Sequence, residues 1–191
     1  MSTAATRDAT TGCDQAPPAV AVDTQALREA FAHLPAAVSV VTTLAPTGPA
    51  GMTASAVCSL SLDPPLLLVC AANGARTLAR LREHGRFAVN ALAAGHTTLA
   101  HAFANPEPQP GYRFTLAPYR IVDAVPILAD ALTVFTCGVE QTHPGGDHTI
   151  VVGRILTVSH HVGQPLLWHA RDYRRLAPAG SDPLPAQPRR S

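Results

Sequence analysis

Read for hydrophobic and polar periodicity, the chain opens with a helical stretch after Asp23, where Leu27, Ala30, Phe31 and Leu34 recur at helical spacing and Pro35 ends the run. Val38–Leu44 is rich in Val and Thr, Pro46–Pro49 has the residues of a turn, and Gly51–Leu62 is a second extended run, so the spacing predicts a strand pair. Pro64 and Pro65 break that run, and Leu66–Ala71 follows as a fully apolar strand. Leu78 and Leu81 predict a helix over Arg76–His84, Arg86–Leu92 reads as a strand, and Gly95–Ala104 reads as a short Ala-rich helix. Asn105–Arg120 is rich in Pro, Gly and polar residues and predicts a surface loop. Ala131–Val139, His148–Val158 and Leu166–Tyr173 predict antiparallel strands, with a turn at Thr142–Asp147 between the first two. Many short strands, few helices and no βαβ rhythm favour a closed or half-closed barrel over a doubly wound sheet.

The polar ends narrow the folded part. Residues 1–22 are expected to be a disordered tail, without a secretory signal's apolar core, and residues 177–191 a second, Pro-rich tail. One domain over 23–176 remains, a size consistent with the full length of 191 residues. A formal net charge of +1 gives no electrostatic footprint for nucleic acid, and no apolar run approaches the length of a membrane-spanning helix. All 14 basic residues are Arg, so a Schiff-base or Walker lysine is excluded. Cys13, Cys58, Cys70 and Cys137 contain no C-x-x-C pair and lie mostly in apolar surroundings, which suits reduced thiols and a cytoplasmic location.

Three segments could carry chemistry. In a strand, alternation would put Thr53, Ser55, Ser59 and Ser61 on one small hydroxylated face, open to a flat heterocycle or a phosphate, and equally ordinary for a solvent-facing strand. Asn73–Thr77 is a turn between a buried strand and a helix, where free N–H groups and the Arg76 guanidinium suit an anion; a plain capped helix would look the same. Gly145–Gly153 is a tight turn entering a strand, with His148 positioned by the turn and Asp147 beside it. Adjacent residues on a strand face opposite ways, so Asp147 is poorly placed to orient His148. His96 and His101, and the adjacent His160 and His161, make no metal-ligand pattern, so no metal is expected. Hydrolase, zincin, triphosphatase and Rossmann motifs are absent. Trp168 and Tyr173 read first as packing residues.

Taken in order, Val38–Thr43, Gly51–Ser55 leading into Ser59–Leu66, Arg76-Thr77, Gly85–Asn90, Gly146–His148 and Pro165–Leu167 before Tyr173-Arg174 resemble the flavin reductase family from about Leu27 to Leu176. These are small FMN-binding split-barrel proteins that supply reduced flavin to two-component monooxygenases. The resemblance implies a mainly β fold with a few helices, a split β-barrel, and an NAD(P)H:flavin oxidoreductase that passes hydride from NADH or NADPH to FMN or FAD. It implies that Thr53, Ala54, Ser55, Ser59, Leu60 and Ser61 line the flavin ring and ribityl chain. Cys70, Ala71 and Ala72 would lie across the site, and Arg76 and Thr77 near the phosphate. Asp147 and Tyr173 join the cofactor-binding candidates, and His148, beside the nicotinamide, is the catalytic candidate. The implied partners are flavin, nicotinamide, a flavin-dependent monooxygenase and a second copy of the chain, with no nucleic acid or membrane. Ser55 stands where the family often has Asn or Gln, and Ala75 where it often has Ser, which bears on flavin affinity rather than fold. Two alternatives stay open: a flavin carrier or accessory subunit, and a flavin-dependent biosynthetic enzyme on the same scaffold.

Overall fold

The computed structural model describes residues 22–105 and 111–177. Both expected tails, apart from Val22 and Ala177, lie outside the described residues, as does Cys13. In chain order the elements are α1 (Thr24–Ala32), β1 (Ala36–Ala37), β2 (Ser39–Ala45), β3 (Gly48–Ala54), β4 (Val57–Leu62), β5 (Pro65–Ala72), α2 (Arg76–His84), β6 (Arg86–Ala91) and α3 (Thr97–Ala104). A 3-10 turn (Tyr112–Thr115) precedes β7 (Tyr119–Val122), β8 (Val125–Leu128), β9 (Thr133–Gly145), β10 (His148–His160), β11 (Leu167–His169) and β12 (Asp172–Arg174). Mixed short strands and few helices were the expectation, and the main sheet is antiparallel throughout, in the order β3-β2-β6-β9-β10-β5-β4. It does not close into a barrel, which is the split form. Among the described residues no helix is long and apolar enough to cross a membrane.

Both faces of the central strands are covered, so β2 reads as a continuous apolar run rather than an alternating one. Val40 packs with Phe103, Phe114 and Ile127 on one side, while its neighbour Val41 packs with Leu78, Leu81 and Phe87 on the other. Buried Asn90 ties the layers: its amide donates to Val40 O at 2.9 Å, and its Oδ1 accepts from the Leu128 N–H at 2.9 Å. Gly153 on β10 leaves room for Phe87; a Cβ there would collide with Phe87 Cζ and lie 2.9 Å from Cε1 and 3.1 Å from Cys137 Cβ. Gly153→Ala is therefore expected to cost about 1–3 kcal/mol by overpacking, read as a lower urea midpoint with unchanged slope.

Several sequence expectations need correction. Gly51–Leu62 is not one strand: it breaks at Ser55-Ala56, and its halves, β3 and β4, form the two opposite edges of the main sheet. The Ala56 carbonyl still accepts from Cys70 N–H at 2.9 Å, which extends the β4–β5 pairing by one residue into the bridge. The Thr142–Asp147 turn shrinks to Gly146-Asp147, because β9 continues to Gly145 and β10 begins at His148; Gly146 supplies φ +72°. Leu166–Tyr173 is antiparallel as expected, in the form of the β11–β12 hairpin, whereas Asn105–Arg120 contains the 3-10 turn with Arg113 and Phe114 buried, residues 106–110 lying outside the described residues. Asp23 does cap α1, accepting from Gln25 and Ala26 N–H at 3.2 and 3.0 Å, yet α1 buries none of its residues, and Phe31 and Leu34 are exposed. Cys58 is exposed on edge strand β4, unlike buried Cys137, whose thiol burial pushes up to about 12.

The β7–β8 turn is pinned to the sheet by Asp123, whose Oδ2 accepts from Thr136 Oγ1 at 2.5 Å and Thr157 Oγ1 at 3.0 Å. Those two hydrogen bonds, with Arg86 nearby, hold its carboxyl below the ordinary value of 3.8, against a smaller opposing effect of burial. A depressed carboxylate adds stability that is fully present above its unfolded pKa and is lost as pH falls through the folded one. This contribution is expected to drain away from the usual Asp range down to lower pH, and acid unfolding to shift toward neutral pH in Asp123→Asn, as followed by circular dichroism across an acid titration.

Candidate functional site

His148 opens β10 immediately after the Gly146-Asp147 turn, opposite Ala72 at the end of β5. Asp147 belongs to the turn and not to the strand, so strand alternation does not separate the pair. This corrects the sequence reading: Asp147 Oδ1 lies 2.7 Å from His148 Nδ1 and accepts its proton, although the Asp147 side chain is 93% exposed. That hydrogen bond, reinforced by the imidazole's charge when present, holds the Asp147 carboxyl below its ordinary value. With Nδ1–H committed to the carboxylate, the neutral ring keeps Nε2 as an acceptor.

A chain of polar contacts fixes this turn. Arg82 Nη2 on α2 donates to Thr149 Oγ1 at 3.0 Å, and Thr149 Oγ1 donates to Asn73 Oδ1 at 2.8 Å. Asn73 in turn donates from Nδ2 to Gly146 O at 3.0 Å and from its backbone N–H to Asp147 O at 3.0 Å. The turn after β5 and the turn before β10 are thus one unit, and Asn73, read from sequence only as part of an anion-ready turn, is its centre.

Three adjoining cavities run past this unit. The first, of about 270 Å³, is lined by Gly74, Ala75, Arg76, Thr77 and Arg80 around the start of α2, and by Met52, Phe103, Asn105 and Arg113. Ala75 gives α2 no side-chain cap, so the first-turn N–H groups face the same space as the Arg76 and Arg80 guanidiniums. An uncapped helix start beside two arginines suits a phosphate. The second, of about 210 Å³, shares Ala104 with the first and is lined by Val38, Thr53, Ser55, Trp168 and Tyr173. The third is a groove of about 1040 Å³ that shares Ser55 and Trp168 with the second and includes Cys70, Gly145 and His148.

The structure therefore brings together Thr53, Ser55, Cys70, Arg76, Thr77, Tyr173 and His148. Thr53 spends its proton on Ala100 O at 2.7 Å, and Tyr173 packs edge-on against Trp168 at 5.0 Å and His101 at 4.8 Å, its hydroxyl pKa raised by burial. Ala54 and Ala71 are buried in the core beneath the site, and Ala72 is exposed opposite His148. Ser59, Leu60 and Ser61 sit on the outer edge of β4 and line none of the three cavities. Sequence reasoning missed Arg80 and Arg113. Arg80 lies one helical turn after Arg76, a spacing that could have found it. Arg113 gave no local signal; it reaches the cavity through a hydrogen bond of 2.7 Å from Nη1 to Gly51 O and another to Asn105 O.

Residues 31–177 match the family described as the flavin reductase like domain. The chain belongs to that family. Among relatives of this flavin reductase-like chain, the FMN reductase (NADH) RutF of Methylorubrum populi is 41% identical over 177 residues, 90% of this chain and 86% of that protein. The NADH:FAD oxidoreductase SgcE6 of Streptomyces globisporus, solved with NAD and FAD fragments, superposes with a TM-score of 0.77 at 32% identity, over 83% of this chain and 95% of that one. The styrene monooxygenase flavin reductase of Pseudomonas putida superposes with a TM-score of 0.71 at 28% identity, over 83% and 97%. The family match and the sequence resemblance thus agree on the flavin reductase fold.

Proposed function

We propose that the chain is an NAD(P)H-dependent flavin reductase that takes FMN or FAD and supplies the reduced flavin to a separate flavin-dependent monooxygenase. The observation that carries this reading is the fixed His148 at the rim of a groove that runs on, through shared Ser55, Trp168 and Ala104, to the arginine-lined start of α2. Arg76, Arg80 and the uncapped N–H groups hold the flavin phosphate, Thr53 and Ser55 flank the ring region, and His148 places the nicotinamide. The cofactors supply the hydride chemistry; the protein binds, orients and excludes water, so no nucleophile or metal is needed. Relatives named for NADH support it as the donor; NADPH is the alternative donor in this reading.

The working unit is a homodimer acting in the cytoplasm. Leu60 and Leu62 on edge strand β4 are exposed, Leu62 by 96%, and a second copy would cover such a surface. In a dimer the Ser59–Ser61 edge completes the flavin site, and 23–176 is the folded domain.

Anaerobic mixing of catalytic protein with excess FMN or FAD and NADH or NADPH tests the reading. Loss of flavin absorbance well above the protein-free rate supports it. Flavin binding without bleaching would favour a carrier, and no binding would overturn the assignment.

A further inference from the structure

The hairpin between β11 and β12 turns on Ala170 and Arg171, whose φ angles are +52° and +60°. Two successive left-handed residues make the kind of tight turn that Gly, Asn or Asp enters freely, whereas a Cβ is disfavoured there. Strain of this kind persists where the surroundings enforce it, and it concentrates at sites of function. Here the enforcement is visible. The Ala170 N–H donates to Ala32 O at the end of α1, 2.6 Å away, and the His169 ring packs edge-on to His33 at 5.8 Å. These contacts explain why the turn is held against α1. They do not explain a guanidinium at its tip.

The groove beside His148 does. Arg171 from the hairpin and Arg28 from α1 both line it, with Gln25, Phe31, Trp168 and His148, and no Asp or Glu lines it. Among the described residues neither arginine has an ion pair or a hydrogen bond. Two unneutralised guanidinium forks on tied elements form a site for phosphate oxygens, which such forks grip in pairs.

We propose that Arg28 and Arg171 hold the phosphate-bearing part of the nicotinamide dinucleotide while His148 receives its nicotinamide end. The proposal rests on the reductase reading above and adds to it the residues that set the affinity for the hydride donor. Flavin phosphate is held elsewhere, at the start of α2, so the two ligands are separable by mutation.

Arg171→Gly is the informative variant, because glycine relaxes the left-handed turn while removing the charge. In steady-state assays of the full chain, the KM for NADH should rise about tenfold, with kcat at saturating NADH and the KM for flavin holding. Arg171→Lys should recover part of the loss, and Arg28→Gln, on an exposed helix face, should act in the same direction. Equal rises for NADH and NADPH assign the contact to the shared diphosphate, and a rise confined to NADPH assigns it to the 2′-phosphate. A wild-type chain that turns over while both variants keep their KM overturns the proposal alone, as does a fall in kcat without a change in KM. A wild-type chain that oxidises neither dinucleotide overturns the reductase reading and the proposal with it.

Discussion

Alanine at Phe103 is expected to lower stability by about 3–5 kcal/mol and to weaken flavin binding in the same variant. The ring is 1% exposed and stands edge-on to Phe114 at 5.1 Å, so its removal opens a hole in the core between the main sheet and α3. It also occupies the space that a side chain at position 51 would need: a Cβ on Gly51 would meet Phe103 Cε1 at 2.7 Å. The Arg113 guanidinium lies 5.8 Å from the ring centroid while its Nη1 grips Gly51 O. Losing the ring therefore disturbs β3, Arg113 and one wall of the cavity at the start of α2 together. Urea denaturation measures the first effect and fluorescence titration with FMN the second. A loss below about 1 kcal/mol would mean that the neighbouring side chains collapse into the hole.

His148→Ala should slow the anaerobic reduction of bound flavin by about 10- to 100-fold, the range in which misplacing a reactant falls. Flavin affinity should change much less, because the phosphate contacts lie at the other end of the cavity chain. Asp147→Asn keeps an acceptor for Nδ1–H but removes the charge, so its effect should be smaller than that of losing the ring. The pH dependence has a defined sign. Asp147 is held below its ordinary value, so it remains a carboxylate and keeps the ring oriented as pH falls through the usual Asp range. The orienting bond is lost only at lower pH, as the carboxylate finally takes a proton. Rapid-reaction reduction rates for the two variants across pH give the comparison; equal rates for His148→Ala and wild type would remove His148 from the reaction.

Much of this was legible in the sequence where local chemistry decides the outcome. The Asp23 cap, the apolar β5 run and the Leu78/Leu81 stripe of α2 are set by neighbours a few residues away, and all three are present. What periodicity could not show is where a strand stops when the next residues could continue it. Ser55-Ala56 carries no Gly or Pro, yet the sheet divides there because β3 pairs only with β2 and β4 only with β5. The same blindness hid the contact between Asp147 and His148, since the spacing argument holds for a strand and fails by one residue at a turn. Arg28 and Arg171 lie 143 positions apart and share a groove only through the fold.

The hydrogen bond from the Asn73 side-chain amide to Gly146 O spans 73 positions, and that from the Thr149 hydroxyl back to Asn73 spans 76. Contacts so distant along the chain carry the entropy of closing a long loop, which the pairing of β5 with β10 closes as well. While the chain is being made, a ribosome-bound nascent chain whose β10 has not emerged can form the β2–β3 pair and α2 but cannot assemble the His148 site. The His148 site is thus complete only in a chain long enough to include β10.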